Sequence, residues 1–241
     1  MRPIELLIRK LEARDALTTA EKAALTAAAE GEETYGSGED IVVEGHRERV
    51  SRLLADGMVA RAKHLADGRR QITALHIPGD FVDLHSLLLK RLDHDVVSLT
   101  PVRFVIFPHK ALKTLTDAYP HLTRMLWLST LMDAAIHRAW IVTSGRMTSI
   151  EQIGSLFCEL HVRFDIVGLL RNGAYPLRIT QEQLADCCGL SPVHVNRVVQ
   201  GLRDLNLVKW RSGILTVLDY DGLAAMAQFN PSYLVLNREP R

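Results

Sequence analysis

The stretch from Ile179 to Val217 constrains the fold of this 241-residue chain more than any other part of it. Thr180 followed by Gln183 has the form of a capping box, in which the threonine hydroxyl and the glutamine side chain each satisfy a free backbone amide at a helix start. A short helix through Leu184 and Ala185 should follow, ending where Gly189 can take the left-handed conformation of a sharp turn. Ser191 then caps a second helix that has Pro192 at its first position and runs to about Leu202. Ala185 is small enough for the two helices to cross closely, and Val195 packs the second against the first. Beyond them, Leu207 to Trp210 and Ile214 to Val217 flank Arg211-Ser212-Gly213, the pattern of a tight β-hairpin. Two capped helices joined by a glycine turn and followed by a hairpin make a winged helix-turn-helix.

In the second helix Val195, Val198, Val199 and Leu202 form the apolar face. Val193, Asn196, Arg197 and Gln200 are left near the opposite face, where a DNA major groove would meet them. Arg197 has the fork that bonds both acceptors of guanine, Asn196 and Gln200 suit adenine, and Val193 suits a thymine methyl. The start of the second helix at Ser191, Pro192 and His194, with the free amides that follow the proline, the Thr180 cap, and Lys209 and Arg211 on the hairpin can hold phosphates. The overall charge is nearly balanced, with 29 basic and 28 acidic side chains, so any charge that binds DNA must be local. No phosphate-binding glycine loop, nucleophile elbow or zinc-protease helix appears, and an enzyme is not expected. No apolar run is long enough to span a membrane and no signal-peptide pattern opens the chain, which points to the cytoplasm. Cys158, Cys187 and Cys188 lack the spacing of a disulfide framework.

Upstream, residues 4 to 30 read as a helical lead-in, with Thr18 or Thr19 as a cap. From Glu33 to Pro108, short apolar runs such as Asp40 to Val43, Ser51 to Leu54 and Arg103 to Phe107 alternate with glycine-rich turns, which predicts a β-barrel or jelly roll. Tyr119 to Ser144 predicts one long helix, with Gly145 opening a hinge. Along it Met125, Ser129, Met132, Ile136, Ala139 and Thr143 alternate at spacings of four and three, the seam of a paired helix that could hold a dimer or pack on its own barrel. The expected fold class is α+β. Its parts are a β-roll sensor domain with its lead-in (1–118), a dimerisation helix (119–144) and a winged helix-turn-helix domain (145–241).

This order resembles the Crp/Fnr family of bacterial transcription regulators. The resemblance covers nearly the whole chain and rests on Ile179 to Ala185, Gly189-Leu190-Ser191, Val195-Asn196-Arg197 and Leu202 to Val208. In the barrel it rests on Pro78-Gly79-Asp80-Phe81, similar to the family's turn before the effector pocket. It implies a homodimer bound to double-stranded DNA at a palindromic operator, with Arg197 as a base reader and RNA polymerase as the further partner an activator needs. Family members that bind cyclic nucleotides carry Gly-Glu and Arg-Ser pairs where this chain has Val82-Asp83-Leu84 and Asp93-His94-Asp95-Val96, so no cyclic AMP response is expected. The absence of cysteine before Cys158 excludes the family's N-terminal iron-sulfur cluster. A rebuilt effector pocket would draw on Asp83, His85, Lys90, Arg91 and His94, unless this segment is a solvated turn over Leu84, Leu87 and Leu88. No cofactor or metal is expected. The alternatives are a haem sensor using His76, His85 or His94, a redox sensor using Cys187 and Cys188, and a ligand-binding module whose helix-turn-helix contacts protein.

Overall fold

The computed structural model describes residues 3–241, so the first two residues of the expected sensor domain lie outside the described residues. Two short helices, α1 (Pro3–Glu12) and α2 (Thr19–Ala27), lead in. Thr18, not Thr19, caps α2, in a full capping box with Glu21.

Seven strands follow: β1 (Glu32–Tyr35), β2 (Asp40–Val42), β3 (Val50–Asp56), β4 (Val59–His64), β5 (Arg70–His76), β6 (Asp95–Ser98) and β7 (Val102–Pro108). They pair antiparallel into two sheets, ordered β1-β7-β3 and β2-β6-β4-β5. Leu54, Val82, Val96 and Phe104 fill the space between them. A one-turn helix, α3 (Ser86–Leu89), interrupts the path from β5 to β6. Residues 51 to 55 of β3 are all buried, without the alternation of a half-exposed strand. The cause is a second apolar layer on its outer side, where Leu7 of α1, Leu25 of α2, Leu112 of α4 (His109–Ala118) and Met125 join Leu53 in one cluster.

The long helix α5 spans Pro120–Arg146 with Pro120 in its first turn. Gly145 lies inside this helix, and the chain breaks instead at Met147, whose ψ of 154° is extended. Thr148 immediately recaps the backbone and starts α6 (Ser149–Ile166) through a box with Glu151. The remainder is β8 (Ala174–Pro176), α7 (Gln181–Cys188), α8 (Pro192–Asp204), β9 (Val208–Arg211), β10 (Ile214–Val217), α9 (Tyr220–Met226) and a 3-10 turn at Pro231–Leu234. Strand β8 adds to β10 to make the three-stranded sheet β8-β10-β9; nothing in its three residues announced it. The fold is α+β, and the core of the C-terminal half is continuous with Ala60, Ile72 and Leu75 of the sensor sheet.

Candidate DNA interface and sensor cavity

The Thr180 hydroxyl accepts from the Gln183 amide at 3.1 Å, and Gln183 Oε1 accepts from the Thr180 amide at 2.9 Å, so α7 starts on a closed capping box. It ends at Gly189, whose φ of +64° is the left-handed turn an L side chain rarely adopts. Ser191 Oγ accepts from the His194 amide at 3.2 Å and starts α8. Val195, Val198, Val199 and Leu202 are all buried, and Ala185 is buried at the crossing of the two helices.

Val193, Asn196, Arg197 and Gln200 are exposed on the outer face of α8. Two of these are already engaged: Asn196 Nδ2 donates to Gln181 Oε1 at 3.0 Å and Gln200 Nε2 to Asp204 Oδ1 at 2.7 Å. Among the described residues Arg197 has no hydrogen-bond or ion-pair partner, which leaves its guanidinium fork free. His194 is half-buried and paired through Nε2 with Ser149 Oγ at 2.7 Å, so its ring braces the start of α6. In the hairpin, Ser212 (φ +50°) and Gly213 (φ +73°) form the two-residue turn with both central residues left-handed. Lys209 and Arg211, two apart on β9, are both exposed, while Val208 is buried and Trp210 donates inward to Leu177 O at 3.0 Å.

On the sensor side, a cavity of about 930 Å³ lies between β4, β5, the turn before β6, α5 and the end of α7. His85 and His94 line it with ring centroids 5.3 Å apart, and Asp133 and His137 face them from α5. Three other expected pocket residues do not take part. Asp83 is fully buried beneath the cavity, where its carboxylate accepts from the Arg52 amide (2.6 Å) and Arg52 Nη1 (2.8 Å); a charge this deep needs such a pairing. Lys90 folds back onto Leu87 O and Arg91 reaches outward to Gly45 O. Leu84 is buried as the underside of the turn, but Leu88 is 80% exposed.

The cation deepest in the cavity wall is Arg61, which the sequence reading did not single out. It is committed to Val82 O (2.8 and 3.0 Å) and Asp133 Oδ2 (3.0 Å). No free arginine is offered to a cyclic phosphate by these contacts. Around it the imidazoles are kept neutral: burial and the Arg61 charge push His85 down to about 3 and His76 down to about 4. Both ring nitrogens of His76 and the Nε2 atoms of His94 and His137 are buried without a protein partner.

Neither the haem nor the redox alternative is favoured. Of the histidines named for haem, His76 sits in the barrel wall and does not line the cavity, whereas His85 and His94 do. Cys158, Cys187 and Cys188 are free and buried, and burial pushes Cys158 and Cys188 up to about 12 and Cys187 well above the ordinary thiol range, which leaves them as poorly reactive thiols.

The turn at Pro78 to Phe81 serves a buried network that joins both halves of the chain. Asp80 accepts from Lys10 at 2.6 Å and from Arg163 of α6 at 2.7 Å, and Arg163 also holds Glu159 at 2.9 Å. Burial alone would raise the Asp80 carboxyl, but Lys10 and Arg163 outweigh it and hold it well below the usual range. Sequence spacing carries no signal for this network, because its members lie up to about 150 positions apart.

The seam expected to hold a dimer or pack on the barrel is partly covered within the chain. Met125, Met132 and Ile136 are buried by the chain itself, and Ser129, Ala139 and Thr143 are half-buried beside them. Roughly opposite on α5 stand Trp127, Leu131, Ile141 and Val142, each more than half exposed. Half of the expected seam is thus covered by the chain itself, and the more exposed apolar side chains of α5 lie on the other face.

Residues 32–119 match the cyclic nucleotide-binding domain and residues 151–226 the Crp-like helix-turn-helix domain. The chain is 29% identical over 174 residues to the transcriptional activator protein FnrL of Cereibacter sphaeroides, covering 70% of this chain and 69% of that protein. It is 24% identical over 185 residues to the nitrogen fixation regulation protein FixK of Rhizobium meliloti, covering 74% and 78%. Its fold is that of FixK2 from Bradyrhizobium japonicum, with a TM-score of 0.73 at 22% identity over 82% of this chain and 96% of that one. With both domains present in the same order and on the same fold, the chain belongs to the Crp/Fnr family of DNA-binding transcription regulators.

Proposed function

We propose that the protein acts in the cytoplasm as a homodimer that reads a palindromic operator, one half-site per subunit. The observation that carries this reading is Arg197, an exposed and unpartnered guanidinium on a helix whose other face is wholly buried. It takes guanine; Asn196 and Gln200 turn from Gln181 and Asp204 to adenine when the groove offers better geometry, and Val193 packs on a thymine methyl. Thr180, Ser191, Pro192, His194, Lys209 and Arg211 surround this face with amides and charges for phosphates.

The units of function are the sensor (1–118), the dimer helix (119–144) and the reader (145–241). The helices pair through Trp127, Leu131, Ile141 and Val142 and hold the two recognition helices about one DNA turn apart. The cavity beside His85 and His94 is where a small molecule would bias that spacing, because the His85 ring and the Nε2 of His94, whose Nδ1 is held by Asp93 at 2.8 Å, are uncommitted while Arg61 is not. An activating role would add a contact with RNA polymerase.

The test is selection of genomic fragments by the purified protein, then footprinting of the best fragment at two salt concentrations. Protection of two symmetric half-sites that weakens steeply with salt is the expected result. Protection of a single unrepeated site would overturn the palindromic reading, and failure to select DNA without a ligand would move the search to molecules that fill the cavity.

A further inference from the structure

The two recognised domains end at residue 226 and begin at residue 32, so the first 31 and last 15 residues lie outside them, and in the structure these two ends meet. After α9 the chain crosses back over α5. Leu234 of the 3-10 turn is 1% exposed, and Arg14, between α1 and α2, is 2% exposed beneath it. Arg14 donates to Leu234 O at 2.6 Å and Val235 O at 3.1 Å from one side and to Lys10 O at 2.8 Å from the other. Its carbonyl accepts from the Glu239 amide at 2.8 Å, Asp15 accepts from the Arg241 amide at 2.6 Å, and Arg124 of α5 holds Arg241 O at 2.9 Å. One residue before Leu234, Tyr233 donates to Glu159 Oε2 at 2.9 Å, the same carboxylate that receives Trp140 Nε1 from α5 at 3.0 Å and that pairs with Arg163. The returning tail therefore closes the buried network where α5, α6 and the sensor meet.

A buried guanidinium with only carbonyl partners is an expensive device, and burial pushes Arg14 down to about 10. Its geometry explains what it does. The reader hangs from α5 by the extended residue Met147, and a rotation there would change where each recognition helix points. On one side Arg70 and Gln71 of β5 hold Asp186 of α7, by an ion pair of 2.6 Å and a bond of 2.7 Å to its carbonyl. The tail holds another, and the Arg163–Asp80 pair a third, so the tail adds to contacts that already restrict rotation at the hinge. The tail leaves the outer face of α8 exposed, so it does not mask the reading surface.

We infer that residues 227–241 form a strap, clasped by Arg14 and Tyr233, that positions the reader on the sensor and thereby determines which half-site spacing the dimer accepts. This rests on the proposed dimeric reading of DNA. Arg14 and Tyr233 are positioning residues that touch no DNA.

The experiment compares the full chain, a chain ending at Phe229, Arg14→Met and Tyr233→Phe on the operator selected by the full chain, with one base pair inserted or removed between the half-sites. Each change of one base pair turns a half-site by about 36° and shifts it by about 3.4 Å. The full chain should lose about ten-fold or more in affinity on either change, whereas the strap variants should lose less than about three-fold, with dimerisation retained. A mere loss of stability would weaken binding at every spacing alike. Variants that keep the full chain's spacing penalty would overturn the proposal. If the shortened chain does not fold, the two point variants decide the outcome. Amide exchange is measured on the same proteins without DNA: loosening the strap should speed exchange at residues 147–149 and along α7, and unchanged exchange would overturn the strap even if the full chain selected no DNA. In that last case it is the DNA reading that has failed, and the two failures are told apart.

Discussion

Arg197 stands alone at the centre of the reading face because its neighbours are each tied to something: Asn196 to Gln181, Gln200 to Asp204, His194 to Ser149. A free fork pays little to turn toward guanine, and a bidentate pair contributes about 1–3 kcal/mol of discrimination per half-site. Arg197→Ala, counted over two subunits, should therefore lower affinity for the operator by a hundred-fold or more, roughly 3 kcal/mol, while sedimentation still reports a dimer. A variant that protects the operator at unchanged concentration would remove Arg197 from the interface. At this scale the sequence was legible wherever a residue's task is local. Thr180 with Gln183, Gly189, and Ser191 with Pro192 each act within four positions of themselves, and each does in the structure what its spacing predicted. Asp83 was misread as a pocket residue because its partner, Arg52, lies 31 positions away on another strand.

For whole elements, periodicity names a stripe but not its neighbour. The Met125 to Thr143 spacing identified a packed face of α5, yet the same spacing fits a helix lying on its own barrel, and that is the cover the structure provides. Opposite effects are expected from the two faces. Met132→Glu and Ile136→Glu would each bury a charge without a partner and should destabilise the fold by about 3 kcal/mol or more, visible as a fall in the urea midpoint. Leu131→Glu with Val142→Glu should leave the unfolding free energy, measured at a concentration where the protein is a monomer, within about 0.5 kcal/mol, and should dissociate the dimer in sedimentation. A dimer that survives the second pair, or a fold that tolerates the first, would return the interface to the original seam. Strand β8 was missed for a related reason: three residues are too few to show a period of two, and they become a strand only because β10 offers an edge.

Across the whole molecule, the parts hidden from the sequence are those that join distant segments: the Asp80 network, the returning tail and the placing of Arg61 among His76, His85 and His94, which the sequence singled out without it. The last of these gives the protein a dependence on pH. His76 is fully buried, has no hydrogen-bond partner, and stands 3.8 Å from the nearest Asp80 oxygen, too far to be satisfied by it. Burial and Arg61 push it from an unfolded value near 6.5 down to about 4. Between these values the unfolded chain binds the proton and the folded chain does not, so stability rises with pH across this window. The contribution is intact above pH 6.5 and is lost as the pH falls toward 4, by roughly 3 kcal/mol for a displacement of this size. His85, pushed down to about 3, acts in the same direction, whereas Asp83, lifted by burial to about 6, holds a proton in the folded chain and offsets part of the loss. Comparison with His76→Phe isolates one term, because the other groups are common to both proteins. Replacing an unsatisfied imidazole by a ring of similar shape should leave stability at pH 7 unchanged or slightly higher. Urea unfolding at pH 7 and pH 4.5 should then show the parent losing about 2–3 kcal/mol more than the variant on acidification. Equal losses in the two proteins would mean that His76 takes up its proton without unfolding the barrel, and the acid sensitivity would have to be sought at His85 on the cavity wall.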